Sequence, residues 1–174
     1  QETGAGLLEK GFILSPEVSD NAASYLAAVT TLGRFEKAEE FFREARALHP
    51  LNRTLAFTFI DILLKQEKYD QALQEIEQSI LIFGADDTIL AAALEVREKI
   101  GPQQTAPSRT GKATLSLCMI VKNEERNLPK CLMNVKPAVD EMIVVATGST
   151  DRTRELARAF GAQVFEVAWK GDFS

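Results

Sequence analysis

One histidine, two cysteines and one tryptophan are all that 174 residues hold of these types. The histidine, His49, precedes Pro50 where a helical pattern stops, a place that suits a helix C-terminus. Chemistry that needs a histidine dyad or a histidine-rich metal centre within this chain is thereby excluded. Cys118 and Cys131 show neither metal-ligand spacing nor a CxxC arrangement. One falls in an apolar strand pattern and the other on an apolar helix face, so both are expected to be buried free thiols, as suits a reducing cytoplasm. No apolar run approaches the ~20 residues that span a bilayer. The opening residues, QETGAGLLEKG, lack the basic-then-apolar plan of a secretion signal and read as a chain that begins in mid-element. The expected location is cytoplasmic.

What is present describes a globular protein: 45% hydrophobic and 26% charged residues. The net charge of -5 is unevenly spread, since residues 1–105 carry 10 Lys and Arg against 17 Asp and Glu, and residues 106–174 carry 10 against 8. An acidic first part argues against nucleic-acid binding there, because phosphate backbones need a basic face. The change in balance also marks a boundary.

The first part repeats itself. LGRFEKAEEFFREARALHP (32–50) aligns with QEKYDQALQEIEQSILIFG (66–84) at an offset of 34. Phe35 then matches Tyr69, Ala38 matches Ala72, Phe42 matches Ile76, and Ala45 matches Ser79. These are the small and aromatic contacts by which two antiparallel helices close on each other, and Pro50 and Gly84 end the second helix of each pair. The pattern resembles the tetratricopeptide repeat. Two repeats are expected near 19–52 and 53–86. They follow a partial one carrying Leu8, Gly11 and Pro16, and precede a closing helix at 87–101 with Ile89, Leu90, Ala93, Leu94 and Val96 apolar. Ala22 and Ala56 stand where the family often has Trp.

In such repeats the first helix of each pair lines the concave face. The resemblance therefore implies a face made by Ala27, Thr31, Phe57, Asp61 and Lys65, with Ala23, Thr30 and Leu64 beside them. The Lys/Asn pattern that clamps peptide carboxylates in some members is missing. A protein partner, or the chain's own catalytic domain, is the expected occupant.

GPQQTAPSRTGKAT (101–114) has no apolar periodicity and reads as a linker, set at 102–113. The pattern after it is different. LSLCMIV (115–121) is a continuous apolar run, the mark of a strand buried on both faces. NLPKCLMNV follows with Leu128, Cys131, Leu132 and Val135 at helical spacing, Asn127 as its cap and Pro129 in its first turn. EMIVVAT (141–147) is a second strand. VVATGSTDRT then turns at Gly148, and Ser149 or Thr150 can cap a helix that opens at Asp151 and stops at Gly161. AQVFEVA (162–168) is a third strand. The sequence predicts βαβαβ, so the whole chain is α followed by α/β.

A dinucleotide dehydrogenase would need GxGxxG after the first strand, and VKNEERN has no glycine. LSLCMIVKNEERNLPKCL, VDEMIVVATGSTDRT and FGAQVFEVAWKGDFS instead resemble, in order and spacing, the N-terminal half of family-2 inverting glycosyltransferases with the GT-A fold, covering residues 114–174. The resemblance implies a nucleotide-sugar site with Asn123 and Glu124 at the end of the first strand and Thr147, Gly148, Ser149 and Asp151 after the second. Asp151 suits a helix-dipole and capping role as well as a ligand contact. The acid that reads the uracil ring in that family falls on Ala146, whose methyl group accepts no hydrogen bond. This copy is degenerate, or was altered, or a neighbour supplies the contact. Trp169 and Asp172 match a later block, with Trp169 expected in the core.

The family's Asp-x-Asp motif and catalytic base lie downstream of its third strand, and neither can be placed here. No catalytic or metal-ligating residue is therefore assigned, although the resemblance implies Mn or Mg used with a nucleotide-sugar. Asp86–Asp87 sits at a helix start. The apolar strand 115–121 is expected at a sheet edge, where self-association, a swapped element or the repeats would cover it. Two readings stand: a fragment of a repeat-bearing glycosyltransferase, inactive alone, or a non-catalytic interaction scaffold with a degenerate α/β unit.

Overall fold

The computed structural model describes residues 4–103, 114–169 and 171. Two compact units divide between Phe83 and Gly84. The first holds five helices: α1 (Gly4–Leu14), α2 (Ser19–Leu32), α3 (Phe35–Leu48), α4 (Arg53–Lys65) and α5 (Tyr69–Phe83). Consecutive helices pack on each other, and α2 also packs on α4, as stacked helix pairs do.

The repeat positions explain that packing. Ala22, Ala38, Ala56 and Ala72 are fully inaccessible, so no side chain beyond a methyl group separates the helices that meet there. Ser79, the counterpart of Ala45, is equally buried. Gly33 ends α2 at φ 66 and donates its N–H to Val29 O, a conformation that glycine adopts without steric cost. Asn52 caps α4 by accepting from the Leu55 N–H at 3.2 Å. His49 is the C-cap of α3.

The partial repeat contributes more than its sequence signals suggest. Leu8 is exposed, whereas Phe12 is buried and stacks on Phe42 with centroids 4.3 Å apart and on Tyr25 at 5.3 Å. Burying such a ring is worth about 2–3 kcal/mol. The Tyr25 hydroxyl donates to Glu9 Oε2 at 3.4 Å.

The second unit opens with α6 (Asp87–Ile100), read from the sequence as the closing helix of the repeats. Asp86 caps it, accepting from Ile89 N at 2.9 Å. Here α6 packs on α8 (Thr153–Ala159). Arg152 reaches Ala85 O at 2.7 Å and pairs with Asp87. Arg97 Nε donates to Ala159 O at 3.1 Å. Within the stretch read as a linker, Gln103 N donates to Gly161 O at 2.8 Å, and residues 104–113 lie outside the described ones.

The sheet has β1 (Ser116–Val121), β2 (Glu141–Ala146) and β3 (Gln163–Glu166), parallel and in that order. Helix α7 (Leu128–Val135) and a 3-10 turn (Lys136–Ala138) join the first two strands, and α8 joins the last two. As α7 and α8 pack on each other, they share one face of the sheet. Met142, Val144 and Ala146 are buried there.

The opposite face corrects the expectation of strands buried on both sides. Among the described residues Cys118 and Ile120 of β1 and Phe165 of β3 are exposed. Cys118 is thus an exposed free thiol and Cys131 a half-buried one, not the buried pair expected. The reason is geometric: successive residues alternate between faces, and helices cover only one.

Burial pushes the Tyr25 phenol up to about 12 from 10.0, with the charge of Glu9 adding to the effect. A raised folded pKa gives stability that is complete below pH 10 and is lost as pH rises toward 12. Relative to Tyr25→Phe, the native protein should lose about 1.4 kcal/mol by pH 11 in urea titrations, and parallel curves would refute the shift. Gly161 sits at φ 93, where an added Cβ would stand 2.9 Å from the Arg97 guanidinium. Gly161→Ala should therefore destabilise by roughly 1–3 kcal/mol, read by thermal melting against Gly4→Ala, which meets nothing within 4 Å.

Candidate functional site

The strands are parallel, so the turns that leave β1 and β2 emerge at the same end of the sheet, side by side. Val121 and Ala146 are cross-strand partners. Beyond them Thr147 turns inward, with its N–H donating to Val121 O at 3.0 Å and its hydroxyl to the same oxygen at 3.2 Å. Gly148 takes φ 82 to reverse the chain.

The two turns are then joined by hydrogen bonds running in both directions. Asn123, at φ 55, donates its N–H to Ser149 Oγ at 3.1 Å, and its side-chain oxygen accepts from Thr150 N at 2.8 Å. Asparagine is among the few residues other than glycine that tolerate such a φ. Glu124 N donates to Thr153 Oγ1 at 2.7 Å, and that buried hydroxyl donates onward to Asp151 Oδ1. Glu125 N donates to Asp151 Oδ2 at 3.1 Å, while Glu125 Oε2 accepts from Arg152 N at 3.1 Å.

Six of the residues read from the sequence therefore meet in this seam or at its turn: Asn123, Glu124, Thr147, Gly148, Ser149 and Asp151. Their local roles differ from those expected. Ser149 and Thr150 do not cap α8, which starts at Thr153. The N-cap position is Arg152, without a side-chain cap, and Asp151 just before it accepts from Thr153 N at 3.0 Å, close to the helix-start role expected of it. Asn127 precedes α7 without a side-chain cap, and its amide donates to Glu124 Oε2 at 2.9 Å. Trp169 is exposed and not a core residue, and Asp172 lies outside the described residues. Thr153 and Glu125 were missed. The Asp-x-Thr spacing of Asp151 and Thr153 and the doubled glutamate of VKNEERN were the available signals.

Electrostatics favour the closed seam. Burial alone would raise the Asp151 pKa, but the hydroxyl and N–H of Thr153 and the N–H of Glu125 prevail and hold it below the ordinary aspartate value. A depressed folded pKa gives stability that is present above the ordinary aspartate range and is lost as falling pH protonates Asp151.

Ala146 ends β2, buried beneath this rim. Its cross-strand partner on the other side is Glu166, an exposed carboxylate that Arg154 holds at 2.8 Å and Arg158 at 3.3 Å. Arg154 foremost, then Arg158, keeps the Glu166 pKa low. Among the described residues no three His, Cys, Asp or Glu side chains are placed to hold a metal ion. Asp86 and Asp87 serve Ile89 N and Arg152. The metal implied by the resemblance has no ligand set among them.

The expected concave positions Ala27, Thr31, Asp61 and Lys65 are exposed on α2 and α4, and Phe57 is half-buried, with Arg53 over its ring at 5.0 Å. Surrounding protein desolvates Asp61 and raises its pKa, against the pull of Lys65. No helix among the described residues is long and apolar enough to cross a membrane.

Comparison with known proteins fits this architecture. Residues 116–171 match the family model of glycosyl transferase family 2, and residues 30–95 match that of a tetratricopeptide repeat. The chain thus matches a tetratricopeptide-repeat model over part of its first portion and the family-2 glycosyltransferase model over part of its second. A TPR repeat-containing protein of Synechococcus elongatus is 52% identical over 62 residues, which are 36% of this chain and 15% of that protein. An uncharacterized glycosyltransferase of Rickettsia typhi is 40% identical over 57 residues, 33% of this chain and 20% of its own. The low-salt glycan biosynthesis hexosyltransferase of Haloferax volcanii is 44% identical over 63 residues, 33% of this chain and 15% of its own. The chain thus spans no more than a fifth of the length of these relatives.

The seam makes its own prediction. Thr153→Val leaves Glu124 N without its acceptor and should cost about 1–3 kcal/mol. Amide exchange at Glu124 should accelerate, while Thr153→Ser should behave as the native protein. Unchanged exchange in the valine variant would show that the seam does not hold the turns.

Proposed function

We propose that residues 114–174 supply the donor side of an inverting glycosyltransferase, in which a nucleotide-sugar lies across the turns after β1 and β2. The observation that carries this reading is the seam itself. Residues 116–171 match the family-2 model, and within them Asn123, Glu124, Ser149 and Asp151 converge at the carboxyl end of a parallel sheet, where open α/β sheets bind nucleotides. The reaction would pass the sugar to an acceptor hydroxyl with inversion. The repeats would hold a protein partner on the face of α2 and α4.

Residues 114–174 bind their donor weakly, because Ala146 offers a methyl group where a carboxylate would read the base. Losing a charged hydrogen bond worth about 1.5–3 kcal/mol weakens affinity by roughly 10- to 150-fold. The same alanine favours a second reading, a non-catalytic repeat scaffold with a degenerate α/β unit. Glu166, beside Ala146 in the register, is the candidate for a neighbour that supplies the missing contact.

Calorimetry separates these. UDP and UDP-sugars would be titrated, with and without Mn or Mg, into the native chain, Ala146→Asp, Ala146→Asn and Glu166→Gln, each checked by circular dichroism. The donor-site reading expects tighter binding by about tenfold or more with Ala146→Asp. Native binding abolished by Glu166→Gln would make Glu166 the base-reading acid. Binding by none of the folded variants would leave the scaffold reading.

A further inference from the structure

In the first unit a cavity of about 680 Å³ lies where the α2–α3 and α4–α5 turns face each other. Arg34, Lys37, Lys65 and Lys68 line it, with Glu36 the one carboxylate and Phe35 a half-buried apolar wall. Residues 1–105 hold ten cationic side chains against seventeen acidic ones, and four of the ten meet at this opening. Two of the four are engaged, Lys37 with Glu9 at 2.6 Å and Lys68 with Glu39. Arg34 and Lys65 are exposed and stand in no salt bridge among the described residues, Lys65 having Asp61 as its electrostatic neighbour.

The geometry points to a docking site for an acidic peptide at this turn edge, separate from the expected concave face except that Lys65 borders both. The offset of 34 makes Arg34 and Lys68 the same position in successive repeats. Because α2 and α4 are in contact, equivalent positions stand roughly 10 Å apart. An extended peptide rises about 3.1–3.4 Å per residue and covers that distance in about three. Carboxylates at about that spacing meet Arg34 on one turn and, on the next, Lys65, which lines the cavity with Lys68. Guanidinium and ammonium groups bind carboxylates by charge-assisted hydrogen bonds, and Phe35 offers an intervening apolar side chain a surface. A longer nucleic-acid strand would leave the cavity for acidic surface, where its phosphates are repelled.

The test is fluorescence anisotropy with the full chain and labelled hexaglutamate, hexaglutamine and oligouridylate as probes. Hexaglutamate should bind saturably and at least about tenfold more tightly than hexaglutamine, and weaken when salt rises from roughly 20 to 300 mM. The double variant Arg34→Gln/Lys65→Gln should weaken it by about fivefold or more with an unchanged melting temperature. Glu36→Gln, which removes the opposing charge, should tighten binding, a gain that misfolding does not produce. Equal binding of the two peptides, no binding below about 1 mM, or indifference to both variants overturns the proposal. Oligouridylate binding more tightly than hexaglutamate and weakened by the double variant would assign the cavity to nucleic acid instead.

Discussion

Consecutive parallel strands joined by right-handed crossovers place every connecting helix on the same side of the sheet. With the order β1-β2-β3, both α7 and α8 fall on one face. The burial of Met142, Val144 and Ala146 follows from this, as does the exposure of Cys118, Ile120 and Phe165 on the other. The same constraint brings the carboxyl ends of β1 and β2 together. The turns that leave them are neighbours and can exchange the hydrogen bonds that define the candidate site.

The repeat unit obeys a different constraint, close approach of helices. Its alanines at equivalent positions are all inaccessible, and the aromatic stack of Phe12, Tyr25 and Phe42 fills the space toward the partial repeat. Helix α6 answers to both descriptions. The repeat model extends to residue 95, yet α6 packs on α8, fastened by Arg97 and Arg152. A helix needs only one apolar stripe and a capped end, and Ile89, Leu90, Ala93 and Val96 supply a stripe whichever element receives it.

Much of this was legible in the chain itself. The offset of 34 located four helices closely, because small residues recur where helices touch. The strands were recognisable from apolar runs and the turns from Gly148 and Gly161. One-sided burial was not legible: Cys118, Ile120 and Phe165 are apolar, and composition cannot say which face a helix covers. The hydrogen bonds of Ser149, Thr150 and Thr153 were equally out of reach. Each can cap its own helix, and only the proximity of the turn at 122–127 directs Ser149 and Thr150 across to Asn123 and lets Thr153 accept from Glu124. Glu166 becomes interesting only through the register that sets it beside Ala146.

That exchange of hydrogen bonds has a consequence for recognition. Holding a backbone residue in one conformation costs about 1–2 kcal/mol of conformational entropy, and a loop that orders around its ligand loses that amount at the moment of binding. Here Asn123, Glu124, Thr150 and Thr153 are fixed by one another during folding. A ligand arriving at this rim meets turns already shaped, and its affinity depends on the contacts it makes there and not on the cost of ordering the chain.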